Sequence, residues 1–313
     1  MSIKSVDVII PTYKPGRKLL LILRKLARQT FPVNQIILCN TEKEYFDSFL
    51  EKYWPDGNPL PGNPMVYHIP KEEFDHGKTR AEAVMRSDAD AFLCMTDDAV
   101  PANDHLVEKL VRTLDRENVA VAYARQLAGA KAGMTESYTR QFNYPDVSMD
   151  KSISDVERLG IKTYFCSNVC AMYKREIYDR LGGFIRHTIF NEDMIYAGGA
   201  VQKGYTIAYV AGARVFHSHS YSGSQQFHRN FDLGVSQAEH PEIFASVPSE
   251  GEGLKMVKET IAYLAKKGKF LKIYDLLVMS TCKYAGYLLG KNYKKLPMSI
   301  VKKCTTNPGY FKN

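Results

Sequence analysis

An α/β fold built on a mostly parallel sheet is what this sequence predicts, and three observations carry that reading. Short apolar, β-branched runs alternate with helical periodicity through the first 125 residues. Hydrophobic residues at 45% and charged residues at 24% are the proportions of a folded soluble chain. A length of 313 residues suits one large α/β domain or two smaller ones packed together. The same figures exclude disorder, collagen-like repeats and a multi-pass membrane protein, since no apolar run approaches the roughly 20 residues that cross a bilayer.

Each element has its own signal. Residues 6–10 form a β-branched run stopped by Pro11, and helical periodicity follows over 18–29. Residues 35–39 read as the second strand. Thr41 with Glu44 three places on suggests a capping box for a helix towards Tyr53, and the Pro and Gly residues of 54–64 mark a loop. A third strand at 65–69, a helix at 79–86 and a fourth strand at 91–95 come next; Asn103 is placed to cap a helix ending at Leu114, before a fifth strand at 119–123. Regular alternation of this kind covers a parallel sheet with helices on both faces and puts any ligand at the carboxyl ends of the strands. Beyond it, 169–173, 206–210 and 213–216 read as strands, 175–181 and 191–203 as helices, and everything from His240 onward as helix.

Charge is unevenly placed. The net +8 comes from 42 basic and 34 acidic residues, yet residues 254–313 alone hold 13 lysines, no arginine and 2 acids, or +11. Such a tail fits an anionic partner or a solubilising helical face. Nucleic acid is not expected as that partner, for the chain lacks zinc-finger spacing, an RNA-recognition aromatic motif and arginine clusters. Six cysteines without an apolar secretory segment suggest a reducing cytoplasm, and Cys166 and Cys170 read as packed thiols.

Four constellations could carry chemistry. Asp97-Asp98 emerges from the end of the fourth strand, where carboxylates suit Mg²⁺ or Mn²⁺; the plainer alternative is an acidic turn. His217-Ser218-His219 follows the last strand, with alternation placing both imidazoles on one face, either as a metal ligand beside Asp98 or as exposed loop histidines. Glu192-Asp193 opens a helix behind Asn191, a possible N-cap; the helix dipole accounts for one acid, and the other could accept a proton from an acceptor hydroxyl. Residues 74–80 combine a turn glycine with two cations ahead of a helix, a composition for phosphate contact or simply a surface loop. No glycine-rich dinucleotide loop or Walker motif is present.

Taken together, residues 7–13, 96–101, Asn191-Glu192-Asp193 and His217 resemble, in that order, the family 2 glycosyltransferases of GT-A fold, over about 6–222. Residues 74–80, 217–222, 229–234 and the basic tail look like the bacterial rhamnosyltransferases that use dTDP-rhamnose. The resemblance implies a catalytic domain at 1–222 followed by a basic helical region at 223–313. It implies that Pro11, Thr12, Tyr13, Asn40, Asp75, Arg80 and Asp97 contact the nucleotide, with Asp97 near the ribose or the metal. Asp98 and His217, with His219 as the alternative, would bind the metal, and Asp193 would be the base of an inverting displacement. Asn40 stands where the family usually has an aspartate, and Ala81 where an asparagine often follows the arginine; both bear on base and ribose recognition.

The expectation is therefore a metal-dependent inverting glycosyltransferase that moves rhamnose from dTDP-rhamnose to a saccharide acceptor, lipid-linked, in bacterial cell-surface polysaccharide assembly. It would work in the cytoplasm at the inner face of the membrane, touching anionic lipid through its C-terminal region. A UDP-hexose donor on the same fold, an inactive binding or scaffold protein, and a phosphotransferase with an aspartyl nucleophile are the rival readings.

Overall fold

The computed structural model describes residues 2–130, 132–218, 221–247 and 250–311. Among the described residues nine strands form one sheet: β1 (Val6–Tyr13), β2 (Gln35–Thr41), β3 (Met65–Ile69), β4 (Ala91–Met95), β5 (Val100–Pro101), β6 (Val119–Leu127), β7 (Met149–Lys151), β8 (Cys170–Lys174) and β9 (Thr206–Phe216). Their order is β3-β2-β1-β4-β8-β6-β9-β5, with β7 also on β9. β1 with β2 and β4, β2 with β3 and β6 with β9 pair in parallel. Burial explains the apolar runs: every residue of β4 and β8 is buried, as strands covered on both faces require.

β8 runs antiparallel between β4 and β6, an arrangement no local signal announces. The predicted strands at 206–210 and 213–216 are one strand, kept in the ladder by a register shift opposite Ala124 and Arg125. Short β5 and β7, and the helix Met134–Asn143, are further elements the sequence did not suggest. Two predicted caps are corrected. Thr41 lies inside β2, and Glu42, at φ 64°, is the N-cap of the helix Lys43–Tyr53, so no capping box forms. Asn103 instead accepts the His105 N–H in a turn before the helix Leu106–Leu114.

One apolar core lies under the helices Arg17–Leu26 and Leu106–Leu114, and a second, rich in aromatics, fills the opposite face around Phe92, Tyr173, Tyr178, Phe184 and Tyr196. All six cysteines are free; Cys39, Cys94 and Cys166 are buried in this second core and Cys170 in the first. Beyond β9 the elements among the described residues are helices, chiefly Gly223–Glu239, Glu250–Lys266 and Phe270–Lys291.

The first and last of these three helices meet backbone to backbone. A Cβ added at Gly286 would fall on the carbonyl of Phe227, one at Gly290 on that of Phe231, and one at Gly234 on that of Tyr287. Asp232 then fastens the C-terminal segment by accepting from Thr305 and from the Thr306 N–H at 3.0 Å. Because backbone cannot yield as a side chain does, Gly290→Val should cost about 1–3 kcal/mol or more of stability. Urea unfolding of the variant against the parent measures that loss.

Candidate active site

The sheet order reverses at β1, which has β2 on one side and β4 on the other, and such a switch point opens a crevice at the carboxyl ends of the strands. A cleft of about 890 Å³ lies there. Tyr13 at the end of β1, Asp97 and Asp98 after β4, and His217 after β9 all line it. Ser167, Asn168 and Val169 reach it from the entry to β8, whose reversed direction brings its amino end to the same edge. The first turn of the helix Arg17–Leu26 and that of Glu192–Gln202 also open onto it, so two helix dipoles present partial positive charge to whatever binds.

Asp98 and His217 are brought together: His217 Nε2 lies 3.5 Å from an Asp98 carboxylate oxygen. The other ring nitrogen, Nδ1, is 2.9 Å from Gln126 Oε1. That amide is oriented by its neighbours, because Arg140, which only donates, bonds Oε1, while Nε2 donates to Tyr144 Oη and Ser167 Oγ. Nδ1 therefore carries a proton, and in the neutral ring Nε2 holds the lone pair directed towards Asp98. A carboxylate beside an imidazole whose far nitrogen is tied to a fixed acceptor is a donor set that fits Mn²⁺ or Mg²⁺. Among the described residues no third carboxylate, imidazole or thiol completes a cluster, so a cation here would take its remaining ligands from water or a bound ligand. Asp97 accepts from the Tyr13 N–H; burial, then the neighbouring Asp98 charge, pushes it up to about 6.

Asp193 is set differently. Asn191, at φ 66°, turns the chain in the left-handed region that asparagine tolerates, and the helix Glu192–Gln202 begins immediately after it. It makes no side-chain cap; its Nδ2 instead donates to Ser236 Oγ at 3.3 Å. Glu192 and Asp193 then take opposite roles. Glu192 is buried against Arg80, Oε1 to Nη1 at 2.9 Å, and accepts from Asn168 Nδ2 at 2.9 Å. Burial raises its carboxyl, but Arg80, His76 and the Asn168 amide outweigh that and hold it below its ordinary value. Asp193 accepts the Asn168 N–H and the Met194 N–H, both at 2.8 Å. Burial and then the Glu192 charge push its carboxyl well above the usual carboxylate range. Two adjacent acids with their proton affinities driven apart are the arrangement from which one ion-pairs and the other exchanges protons.

The remaining predicted residues divide. Arg80 reaches the cleft, but Asp75 does not line it: its Oδ1 caps the helix His76–Val84 through the Gly77 and Lys78 N–H groups, and its Oδ2 accepts from Thr188 N–H and lies 3.2 Å from His187 Nδ1. Pro11 and Thr12 lie behind Tyr13 rather than on the cleft wall. Thr12 Oγ1 donates to Asn40 Oδ1, whose Nδ2 donates to the Glu42 carbonyl at 2.9 Å; an aspartate could not make that second bond, which accounts for the amide at this position. His219 lies outside the described residues. Sequence reading missed Gln126, Asn168, Arg140, Arg229 and Lys283. A polar residue ending a strand could have flagged Gln126. Arg229 opens the 229–234 segment likened to the rhamnosyltransferases, but its place over the Phe190 and Tyr221 rings, at 5.4 and 4.9 Å, has no local signal; nothing local marks Lys283, whose ammonium burial pulls below its usual value.

Comparison with known proteins identifies the family and the fold. The profile of Glycosyl transferase family 2 matches residues 7–182. The chain is 35% identical over 310 residues to the O-antigen chain rhamnosyltransferase RfbN of Salmonella typhimurium, covering 98% of this chain and 96% of that one. It is 38% identical over 312 residues to the O-antigen chain rhamnosyltransferase WbaN of Salmonella anatum, covering 99% and 96%. Among solved structures, the mannosyltransferase PcManGT of Pyrobaculum calidifontis, in complex with GDP-Man and Mn²⁺, superposes with a TM-score of 0.59 at 14% identity, over 94% of this chain and 87% of that one. TarS of S. aureus (residues 1–349), in complex with UDP-GlcNAc, gives 0.52 at 14% identity, over 93% and 91%. These last two establish the GT-A-like fold.

Removing one member of a buried ion pair strands the other. Arg80→Met should therefore destabilise the protein by about 3–5 kcal/mol, and adding Glu192→Gln to it should recover a measurable part. A double-mutant cycle by urea unfolding reads both.

Proposed function

This chain belongs to glycosyl transferase family 2, and from that premise we propose that it is a metal-dependent, inverting rhamnosyltransferase that uses dTDP-rhamnose. Its acceptor in this reading is a lipid-linked saccharide of a bacterial surface polysaccharide. The observation that carries the chemistry is one cleft holding both a carboxylate–imidazole pair, Asp98 with His217, and a separate carboxyl of raised proton affinity, Asp193. The choice of sugar is supported by the names of the two full-length relatives. The fold alone does not select a donor, since its structural neighbours are seen with GDP-Man and with UDP-GlcNAc.

In this reaction Asp193 takes the proton of the acceptor hydroxyl, and the oxygen so released attacks C1 of the rhamnosyl group. The bond from C1 to the diphosphate oxygen breaks on the opposite face, and its electron pair leaves with dTDP. A divalent cation, Mn²⁺ or Mg²⁺, held by Asp98 and His217 would neutralise the negative charge gathering on that departing diphosphate. Tyr13 and Asp97 are assigned to the nucleoside, with Pro11, Thr12 and Asn40 as the wall behind them. Arg80 holds Glu192, and Asp75 fixes the start of the helix that carries Arg80. The protein sits in the cytoplasm against an anionic membrane surface, where a lipid-linked acceptor would be presented.

Two measurements test this. Asp193→Asn should lower turnover by roughly 10²-fold or more with little change in donor affinity. A base must be deprotonated to act, so raising its proton affinity moves the acid limb of the pH–rate profile upward. Parent activity should fall with decreasing pH well above the ordinary aspartate value of about 4, and Asp193→Asn should abolish that limb. In a donor screen, dTDP-rhamnose should be consumed in preference to UDP-glucose or UDP-galactose, and only with Mn²⁺ or Mg²⁺. Asp98→Ala should lose that dependence together with activity. Preference for a UDP-sugar would overturn the donor assignment, unchanged transfer by Asp98→Ala the metal assignment, and no turnover of any donor would favour a binding protein.

A further inference from the structure

The helix Phe270–Lys291 has two faces of opposite character. Its inner face meets Gly223–Glu239 through Gly286 and Gly290, and buries Leu276 and Tyr287. Among the described residues nothing covers its outer face. Leu271 is 85% exposed, Phe270 and Tyr274 69%, and Tyr284 55%; Leu277, Val278, Leu288 and Leu289 are exposed as well. At 100° per residue these side chains fall in one stripe along the length of the helix, broken by the hydroxyl of Thr281, over about 33 Å. A contiguous apolar stripe of that length on a water-exposed surface marks a contact site.

The surrounding charge says which kind. Exposed Lys266, Lys267 and Lys269 lie at one end of the stripe and exposed Lys294 and Lys295 at the other, within a segment that carries 13 lysines against 2 acids. A second copy of this chain docking on the same face would bring two such cationic segments together, and like charges at a self-complementary interface oppose association. An anionic lipid surface satisfies both requirements at once, apolar depth for the stripe and phosphate headgroups for the lysines. Tyr274 and Tyr284 suit the boundary, where a ring with one polar end is at home. No described helix is long and apolar enough to cross a membrane, so the helix lies in the interface instead of spanning it.

We propose that the exposed stripe of the helix Phe270–Lys291 is a membrane seat, inserted into the headgroup region of an anionic bilayer. This deepens, and rests on, the reading above in which the acceptor is lipid-linked. It adds that apolar insertion, and not lysine charge alone, holds the protein there. It also sets a distance. Lys283, on the inner side of the same helix, lines the catalytic cleft, so the seat holds the cleft about one helix diameter, roughly 10–12 Å, from the lipid. That spacing suits a sugar hydroxyl a short way beyond a lipid phosphate.

The test is co-sedimentation of the full chain with vesicles of phosphatidylcholine, with and without phosphatidylglycerol, at low and high salt. The parent should bind the anionic vesicles. A variant carrying Leu271→Glu, Tyr274→Glu and Val278→Glu should bind about tenfold or more weakly at the same salt, and Lys294→Glu with Lys295→Glu should weaken binding mainly at low salt. All these side chains are exposed, so the thermal midpoint and the turnover of dTDP-rhamnose with a water-soluble acceptor should stay at parent values; loss of that turnover in the parent itself would count against the donor reading and not against the seat. Leu271→Glu alone serves if the triple variant folds poorly. Parent-like vesicle binding by the stripe variants overturns the proposal, as does absence of binding by the parent. So does a parent dimer in light scattering that the stripe variants dissociate, which would make the stripe a self-interface.

Discussion

The buried ion pair of Arg80 with Glu192 is the constraint around which the cleft is arranged. It joins a helix from the first half of the chain, His76–Val84, to one from the second, Glu192–Gln202. Neither charge could remain in that environment without the other. The pair also settles the electrostatics next door: with Glu192 kept ionised by Arg80, Asp193 sits beside a fixed negative charge and holds its proton more tightly. Asn168 joins the two acids, its side chain on Glu192 and its main chain on Asp193, while Tyr173 Oη donates to its Oδ1 at 2.7 Å. A carboxyl of raised proton affinity is thus tuned by an ion-paired one, and the tuning is anchored in the aromatic core through Tyr173.

Much of this was legible before any coordinates. Strand runs such as 35–39 and 91–95 are apolar because both faces are buried, and that signal is local. Asp97, Asp98, Asp193 and His217 each have a plainer local reading, and they stand out because their motifs follow one another in a single order along the chain. Legibility failed where a property depends on pairing across the chain. The direction of β8 is decided by β4 and β6 on either side of it, and the union of 206–210 with 213–216 by the ladder β6 supplies. Asp75 has the composition of a phosphate loop and the geometry of a helix cap. Gln126 acquires its part only because Arg140 and Tyr144, Ser167 and His217 converge on it from three separate segments of the sequence.

The cleft divides according to the order in which the chain builds it. Tyr13, Asp97 and Asp98 come from the β-α alternation, at the position any open α/β sheet reserves for a nucleotide. Arg140, Arg229 and Lys283 come from helices laid over that sheet later. The helical region after 222 is accordingly a wall of the site, and the structural likeness to PcManGT and TarS extends over more than nine-tenths of the chain, well beyond the sheet. In the proposed reaction, acceptor specificity would fall to this helical wall and donor chemistry to the strand ends.

The cysteines have a consequence of another kind. Burial pushes the thiols of Cys39 and Cys166 up to about 12, and those of Cys94 and Cys170 higher still, so at neutral pH all four are protonated and closed to electrophiles. Cys282 and Cys304, partly open to solvent, both lie on the C-terminal helices. The chain therefore comes supplied with two native attachment points, one on the long two-faced helix and one beside the segment that Asp232 fastens. A pair of spin labels or fluorophores placed there would report the position of the helical wall relative to a bilayer or a bound sugar without any cysteine being added or removed.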